Sequence, residues 1–212
     1  MLEIDGRNVG AACTLRPDQK AQGIPAHWRI YISVANADAT ASLAAAAGAT
    51  VLAPPFDVMG NGRMAVIQDP TGAIFCLWQP QSHQGTGITN VNGSVVWADL
   101  NTHDAARAKQ FYSDVFGWNI QPGQADESGY LHIQNGKDFI GGIPGPGQIP
   151  PDVPPHWMLY FQVADCDASA EKLKQLGGRV FMGPMTLEKV GRFAVVEDPQ
   201  GASFAIFQPL PH

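Results

Sequence analysis

The sequence predicts an α+β fold of repeated β-α-β-β-β modules, whose curled mixed sheets carry helices on the outside. The first observation behind this prediction is an internal repeat, because residues 25–80 and 154–209 match without a gap. His27 lies 129 positions before His156, and the Asp-Pro turns near the ends of both stretches keep the same offset. Matching glycines and prolines imply matching turns, so we interpret the repeat as structural.

The second observation is the order of elements within each copy. Alternating aromatic and β-branched residues predict strands, and an alanine-rich segment that opens at Asp38 and stops at Gly48 predicts a helix. The predicted elements of the first copy are a strand at 28–34, a helix at 38–48 and strands at 50–53, 64–68 and 73–79. The second copy is predicted to repeat them, with its helix at 167–176.

A third module is predicted outside the repeat, at 94–143. Its predicted elements are a strand at 94–100, a helix at 104–116 and strands at 130–133 and 139–143. At the start of the chain, the turn signal Asp5-Gly6 predicts two short strands within residues 1–14. Residues 15–26 are polar and contain two prolines, which predicts a loop.

These elements predict two domains joined by a linker. The predicted division is an incomplete domain 1–80 with one complete module 25–80, a linker 81–93, and a complete domain 94–209 with modules 94–143 and 154–209. The offset places the counterpart of Ser94 before Met1, so the first strand and helix of the first module are expected to be missing. Proteins seldom leave a sheet edge bare. We therefore predict a homodimer through the N-terminal half, with exchange of modules as one form of it.

Composition excludes several classes of partner and compartment. The net charge of −6 without a basic run argues against nucleic acid and membrane surfaces as partners. Cys13, Cys76 and Cys166 form no CxxC pair, which favours a reducing compartment over a disulfide framework. The N-terminus does not have the pattern of a signal peptide, and no apolar run is long enough to span a bilayer. We expect a cytoplasmic protein.

Motifs in two places then indicate a family. Asp104, Phe111-Tyr112 and Phe116-Gly117-Trp118 follow a predicted strand, and the repeat ends in Phe-Ala-Val-Val-Glu-Asp-Pro-Gln-Gly. With these motifs and its paired modules, nearly the whole chain resembles the vicinal-oxygen-chelate superfamily, also called the glyoxalase/bleomycin-resistance/dioxygenase family. The resemblance implies glyoxalase-like half-barrels made of modules paired edge to edge. It also implies a divalent metal in the concavity, held by first and last strands of the modules.

The ligand positions implied by the resemblance do not carry metal ligands here. These positions fall at Trp28, Trp97 and Trp157 on first strands and at Cys76, Ala205 and Gly141 or Gly142 on last strands. A divalent centre needs several converging His, Asp or Glu side chains. We therefore predict no metal and no cofactor. The alternative is a divalent metal site completed across a dimer.

Two polar residues are candidate catalytic groups. Asp99 is predicted to share a strand face with Trp97, where it could act as a general base or orient a ligand. The structural alternative is an acid at a strand end that bonds to the following loop. His132 lies within a predicted strand and is a candidate pocket residue.

Aromatic residues suggest a site for a small molecule. By strand alternation, Trp97, Trp157, Phe161 and Phe207 would line the concavity of the domain 94–209. Aromatic walls with few charges suit a planar organic ligand. The alternative is that these side chains fill the cavity as core.

Other recurring polar residues are interpreted as structural. His27 and His156 are expected to bond to loop carbonyls where a strand begins. Asp69 and Asp198 belong to Asp-Pro-x-Gly turns, and Arg63 and Arg192 are expected to pair with these acids.

Three functions remain open on the sequence. The first is a metal-independent protein that binds a small, planar or aromatic molecule in the aromatic cleft, as bleomycin-resistance proteins do. The second is an enzyme of the lyase, dioxygenase or hydrolase type, with Asp99 and His132 as acid and base or with a metal site shared by two chains. The third is an interaction role in which both cavities are filled.

Overall fold

The computed structural model describes residues 1–123 and 128–210. Its internal contacts divide the chain into two compact units, and the boundaries cross the middle of two strands. Unit 1 comprises Met1–Trp28, Thr86–Trp97 and Met158–His212, and unit 2 comprises Arg29–Gly85 and Ala98–Trp157. The division into domains 1–80 and 94–209 stays a prediction from the sequence.

Four helices and fourteen strands are present in the described residues, which confirms the α+β class. The helices are α1 (Pro17–Ala21), α2 (Ala37–Ala46), α3 (Ala105–Phe116) and α4 (Cys166–Gln175). The strands are β1 (Leu2–Ile4), β2 (Arg7–Gly10), β3 (Tyr31–Ser33), β4 (Thr50–Val58), β5 (Gly62–Gln68), β6 (Ile74–Pro80), β7 (Val95–Asn101), β8 (Asn119–Pro122), β9 (Leu131–Asn135), β10 (Asp138–Ile143), β11 (His156–Gln162), β12 (Arg179–Leu187), β13 (Gly191–Glu197) and β14 (Ser203–Pro209). None of these helices is long and apolar enough to cross a membrane.

Unit 1 contains a hairpin and a mixed sheet. Asp5 and Gly6 both have positive φ, as the tight turn between β1 and β2 requires. The sheet runs in the order β12-β13-β14-β11, and the start of β7 lies next to β11, where the Gln162 amide donates to the Ser94 carbonyl at 2.9 Å. Helix α4 covers one face through a small apolar cluster. That cluster consists of Cys166, Ala170, Ala194, Val196 and Ile206.

Unit 2 contains a four-stranded sheet and the other strands of the third module. The four-stranded sheet runs β3-β6-β5-β4, with β3 at one edge among the described strands. The third module runs β7-β10-β9-β8, with β10 parallel to β7 and antiparallel to β9. Strand β8 was not predicted, because its four residues carry no alternating apolar pattern.

The two copies of the repeat share one ion pair between a strand and a helix. Arg63 bonds to Asp38 with a closest contact of 2.7 Å, and Arg192 bonds to Asp167 at 2.6 Å. The expectation that these arginines pair with the acids of the Asp-Pro turns was therefore wrong. Each arginine lies on the helix side of its strand and reaches the first turn of the neighbouring helix instead. Both pairs keep the offset of 129 positions.

Asp104 caps α3 as predicted, whereas α2 and α4 each begin one residue before their predicted starts. Asn36 caps α2 by accepting the Ala39 amide at 2.9 Å, and Asp165 caps α4 by accepting the Ala168 amide at 2.9 Å. The predicted cap Asp38 lies in the first turn of α2, where its carboxylate accepts from Arg63. Residues 15–26 were predicted as a loop and contain the short helix α1, which buries no residue.

Candidate functional site

The two repeated histidines are structural, as predicted. His27 Nδ1 lies 2.8 Å from the Pro25 carbonyl, and His156 Nδ1 lies 2.8 Å from the Pro154 carbonyl. A carbonyl only accepts, so Nδ1 of His156 carries the hydrogen in this contact. Its Nε2 then accepts from Asn101 Nδ2 at 3.1 Å when the ring is neutral.

The two predicted catalytic residues lie on one face of the sheet in unit 2. Asp99 on β7 pairs with Gly142 on β10, and Gly142 pairs with His132 on β9. Residues directly opposite each other on neighbouring strands project to the same face. Gly142 has no side chain, so a gap separates the carboxylate from the imidazole along this row.

Tyr130 fills the gap above Gly142. A Cβ atom at position 142 would overlap the Tyr130 ring and hydroxyl. The Tyr130 hydroxyl donates to Asp99 Oδ1 at 2.6 Å, and its ring centroid lies 5.1 Å from that of His132. Asp99 is only 6% exposed. The three side chains form a polar cluster, which we call the Asp99 cluster (Asp99, Tyr130 and His132).

Tyr130 was missed by sequence reasoning, although a signal for it exists. Gly141 and Gly142 are consecutive in the middle of a strand, and a glycine there often marks the close approach of another group. The Gly141 position abuts the Ala98 carbonyl of β7, while the Gly142 position is covered by the phenol. A sequence-based search for an aromatic residue near this glycine pair would have included Tyr130, which precedes β9.

Trp157 does not lie on the predicted concave face. Its indole Nε1 donates to the Tyr112 hydroxyl on α3 at 3.0 Å, and its ring is within 6.3 Å of the Trp118 ring. It alternates with His156, which contacts Asn101 beside Asp99 on the opposite face. The prediction that Trp157 lines the concavity is corrected, because the register of β11 turns this indole toward the helix.

The Tyr112 hydroxyl also bonds to the Asp-Pro turn of the first copy of the repeat, at Asp69. It donates to Asp69 Oδ2 at 2.9 Å, while Asp69 Oδ1 accepts the amides of Thr71 and Gly72 at 2.7 and 2.9 Å. Burial, followed by the Asp69 charge, holds the pKa of the Tyr112 phenol well above its ordinary value of 10. Asp69 is 3% exposed and therefore structural, as predicted.

In unit 1, three aromatic side chains share the face opposite α4. Phe193 on β13 pairs directly with Phe207 on β14, and the Tyr160 ring lies 6.3 Å from that of Phe193. Arg192 and Ala194 bracket Phe193 in sequence and face α4, so Phe193 points away from this helix. All three aromatic side chains are half-buried. Phe207 was predicted for this face, whereas Tyr160 and Phe193 were not.

Phe161 lies on the other face of the same sheet. Its ring packs 4.8 Å from Trp28 and 5.6 Å from Phe204, and Phe204 packs against the α4 cluster. The prediction that Phe161 lines the concavity was therefore wrong. The neighbouring residue Tyr160 lies on that face instead. Trp97 lies half-buried in the part of β7 that belongs to unit 1, and its role in ligand binding remains a prediction.

A side chain from the outer strand extends the aromatic face. Met185 on β12 pairs with Phe193, so one row crosses the sheet from Phe207 through Phe193 to Met185. Met185 is 41% exposed. We call the four side chains Tyr160, Phe207, Phe193 and Met185 the ring face.

The donor atoms for a divalent metal do not converge at the positions that the resemblance implies. Cys76 is fully buried, and desolvation raises the pKa of its thiol, which opposes metal-binding thiolate formation. Ala205 and Gly142 offer no side-chain donor. Within residues 1–123 and 128–210, no group of three His, Cys, Asp or Glu side chains is arranged to hold a metal ion. The residues present therefore do not fit the metal.

Comparison with known families agrees with the fold. Residues 94–206 match the family model described as Glyoxalase/Bleomycin resistance protein/Dioxygenase superfamily. The chain belongs to this superfamily. This membership covers the third module and the second copy of the repeat, which carry the Asp99 cluster and the ring face.

Relatives within this superfamily support the assignment over the whole chain. CFP32 of Mycobacterium bovis, which carries the name of a glyoxylase, is 38% identical over 216 aligned residues, covering 100% of this chain and 80% of the relative. The anthracycline biosynthesis protein DauV of Streptomyces sp. (strain C5) is 36% identical over 196 residues, covering 91% of this chain and 69% of DauV.

A solved structure shows the same fold. The Mn(II)-bound glyoxalase from Novosphingobium aromaticivorans is 17% identical, with a TM-score of 0.61. The alignment covers 85% of this chain, which spans 62% of that glyoxalase, less than two thirds of its length. At this identity the likeness concerns the fold alone, and the metal in its name describes that protein.

Proposed function

We propose that this superfamily member binds a planar aromatic molecule on the ring face of unit 1, without a metal. The observation that carries the proposal is the row Phe207, Phe193 and Met185 with Tyr160 beside it, on the side of the sheet opposite α4. The three rings are half-buried and Met185 is exposed. Rings in such a row offer flat contact area, and a thioether adapts to the ligand's outline. We include Trp97 as a fifth contact, since β7 is next to β11 in the strand order.

The chemistry of the face favours a large flat ligand over a charged one. No side chain of the ring face carries a charge, and binding energy would come from stacking and buried apolar area. One relative's name refers to anthracycline biosynthesis, and anthracyclines contain a planar polycyclic quinone. A quinone of this kind is the ligand class that we propose.

A binding titration with anthraquinone-2-sulfonate tests the proposal. We expect saturable quenching of tryptophan fluorescence, and we expect Tyr160→Leu to weaken binding about fivefold, since a stacked ring contributes about 1 kcal/mol. Tyr31→Leu is the matched control, because Tyr31 is the counterpart of Tyr160 in the first copy. It should leave the affinity within about twofold.

Chelation tests the metal-independent part of the proposal separately. Dialysis against EDTA should leave the anthraquinone affinity unchanged, and elemental analysis of the purified protein should find no stoichiometric divalent metal. Loss of binding after EDTA, restored by one added ion, would overturn metal independence. Equal weakening by Tyr160→Leu and Tyr31→Leu would overturn the ring face as the site.

The Asp99 cluster supports a second candidate function, acid-base catalysis in unit 2. The short hydrogen bond from Tyr130 to Asp99 supplies a path along which a proton could pass. The Tyr130 oxygen would take a proton from a substrate while its own proton passes to the Asp99 carboxylate. His132, on the neighbouring strand of the same face, would return a proton to the substrate.

Deuterium exchange separates catalysis from binding. With hydroxyacetone as the probe in D₂O, an acid-base enzyme should accelerate exchange of the protons next to the carbonyl, and Asp99→Asn should slow it at least about a hundredfold. A protein that only binds would show no acceleration. Asp99→Asn should then leave the anthraquinone affinity within about twofold.

A further inference from the structure

The strands β11 and β14 of unit 1 end beside an open depression of about 300 Å³. It is lined by Gln162 and Pro209, which are the last residues of these two strands, by their neighbours in sequence, and by Asn92 from the segment before β7. All of these residues belong to unit 1. None of the described residues that line the depression carries a charged side chain. Its composition therefore suits an uncharged chemical group.

The depression continues the ring face at the end of the sheet. Gln162 pairs with Phe207 across the parallel strands β11 and β14, so the two side chains project to the same side. Tyr160, two residues before Gln162, already belongs to the ring face. Pro209 lies two residues after Phe207 and shares its side by the same alternation. Gln162 and Pro209 thus connect the ring face to the depression.

The Phe207 ring leans toward this end of the sheet, because Gly191 leaves room for it. A Cβ atom at position 191 would lie 2.6 Å from Phe207 Cζ and 2.5 Å from the Gln208 carbonyl oxygen. Gly191 pairs with Pro209, the strand end that lines the depression. A planar ligand stacked on Phe207 would therefore have one end at the depression.

Gln162 is the lining residue best placed to recognise that end of a ligand. It is half-buried, and in the described part of the chain it forms hydrogen bonds through its backbone. Its amide donates to the Ser94 carbonyl at 2.9 Å, and its carbonyl accepts the Gly93 amide at 2.8 Å. The side-chain amide keeps an acceptor oxygen and two donor hydrogens for a ligand. Gln208, by contrast, uses Oε1 to accept the Cys166 amide at 2.9 Å.

The first copy of the repeat separates the roles of these two glutamines. Gln208 corresponds to Gln79, whose Oε1 accepts the Ala37 amide at 2.9 Å, so this glutamine holds the start of a helix in both copies. Gln162 corresponds to Ser33, which has no amide. The amide at the depression is therefore a feature of the second copy, and this difference favours a role in ligand recognition over a role in the repeated fold.

We propose that Gln162 determines specificity at the ring face by hydrogen bonding to an uncharged hydroxyl or carbonyl substituent that a planar ligand places in the depression. This inference rests on the proposed function, since the ligand has to stack on Phe207 for its substituent to reach Gln162. An ionised substituent, such as the sulfonate of anthraquinone-2-sulfonate, would point away into water, because the depression offers it no counter-ion. The ligand class is therefore a planar quinone with a neutral polar substituent at one end.

Two quinones that differ by one hydroxyl test the proposal. The probes are 2-(hydroxymethyl)anthraquinone and 2-methylanthraquinone, titrated into the full chain with tryptophan fluorescence as the readout. We expect the hydroxymethyl compound to bind about fivefold more tightly, since one neutral hydrogen bond contributes about 1 kcal/mol. Gln162→Met keeps the length of the side chain and removes the amide, so the preference should fall to within about twofold. The control Gln175→Met, at the exposed end of α4, should leave the preference unchanged.

The ratio of the two affinities distinguishes this inference from the proposed function. Tyr160→Leu should weaken both quinones about equally, whereas Gln162→Met should weaken only the hydroxymethyl compound. Equal affinities of the wild-type protein for the two quinones would overturn the role of Gln162 and leave the ring face as the binding site, as would a preference that survives Gln162→Met. Failure of the wild-type protein to bind either quinone would overturn both proposals. The first comparison uses wild-type protein alone, so it is decisive even if Gln162→Met does not fold.

Discussion

The two copies of the repeat have the same Asp-Pro turn, but the turn has different surroundings in each unit. Asp69 bonds to its own turn and to Tyr112, whereas Asp198 bonds to its own turn with the same atom. The local geometry follows from the repeated sequence, because the turn bonds are formed within a few residues. The second partner follows from a distant helix that only one copy possesses. Similar turn sequences therefore give the same turn geometry, while the contribution of each turn to the free energy of unfolding depends on its surroundings.

The largest expected effect comes from removing the two carboxylates. Asp69→Ala leaves several turn amides and the Tyr112 hydroxyl buried without an acceptor, so we expect a loss of about 4 kcal/mol in the free energy of unfolding. Asp198→Ala removes turn bonds at a half-buried site and should cost about 1–2 kcal/mol. Urea unfolding of both variants measures the difference. Equal losses would show that the tyrosine bond contributes nothing beyond the turn.

Removing only the hydroxyl isolates the second partner. Tyr112→Phe leaves Trp157 Nε1 and Asp69 Oδ2 buried without a partner, so we expect a loss of about 2–3 kcal/mol. The control is a double-mutant cycle with Asp69→Asn, in which the Tyr112→Phe loss should shrink by about 1 kcal/mol or more. Strict additivity of the two substitutions would contradict a bond between these side chains.

Alkaline pH tests the same bond without a change at Asp69. The folded protein raises the pKa of Tyr112 above its ordinary value of 10, so the folded state keeps this proton where the unfolded state loses it. The stability contribution is present below pH 10 and is lost as pH rises toward the folded pKa, by up to about 1.4 kcal/mol per pH unit. Between pH 9 and 11, wild type should therefore lose more stability than Tyr112→Phe. Parallel curves would rule out a raised pKa at this phenol.

Sequence reasoning predicted elements that depend on local patterns. The repeat, the α+β class and the turn at Asp5-Gly6 were predicted because turns and alternation are encoded within short segments. Boundaries failed where a side chain had a distant partner. Asp38 was predicted as a helix cap, but it pairs with Arg63 from a strand that lies 25 positions later.

The candidate site was predicted less completely than the fold. Asp99 and His132 do lie on one face, since each follows the alternation of its own strand. Trp157 and Phe161 were predicted on the wrong face, because the sequence does not show which set of alternate residues in β11 faces the helices. Tyr130 was missed because its role depends on contact with glycine on another strand.

The smallest expected effect compares the two indoles directly. Trp157→Phe and Trp28→Phe remove the same atoms, Trp157 from a buried site and Trp28 from a half-buried one, so their difference reports the depth of burial together with the indole hydrogen bond. Trp157→Phe should cost about 1 kcal/mol more, because Trp157 Nε1 bonds to Tyr112 and Trp28 Nε1 has no partner among the described residues. Unfolding both variants in urea measures the difference. If Trp28→Phe costs as much as Trp157→Phe, then Trp28 has a partner in solution, and the comparison between the two copies no longer holds.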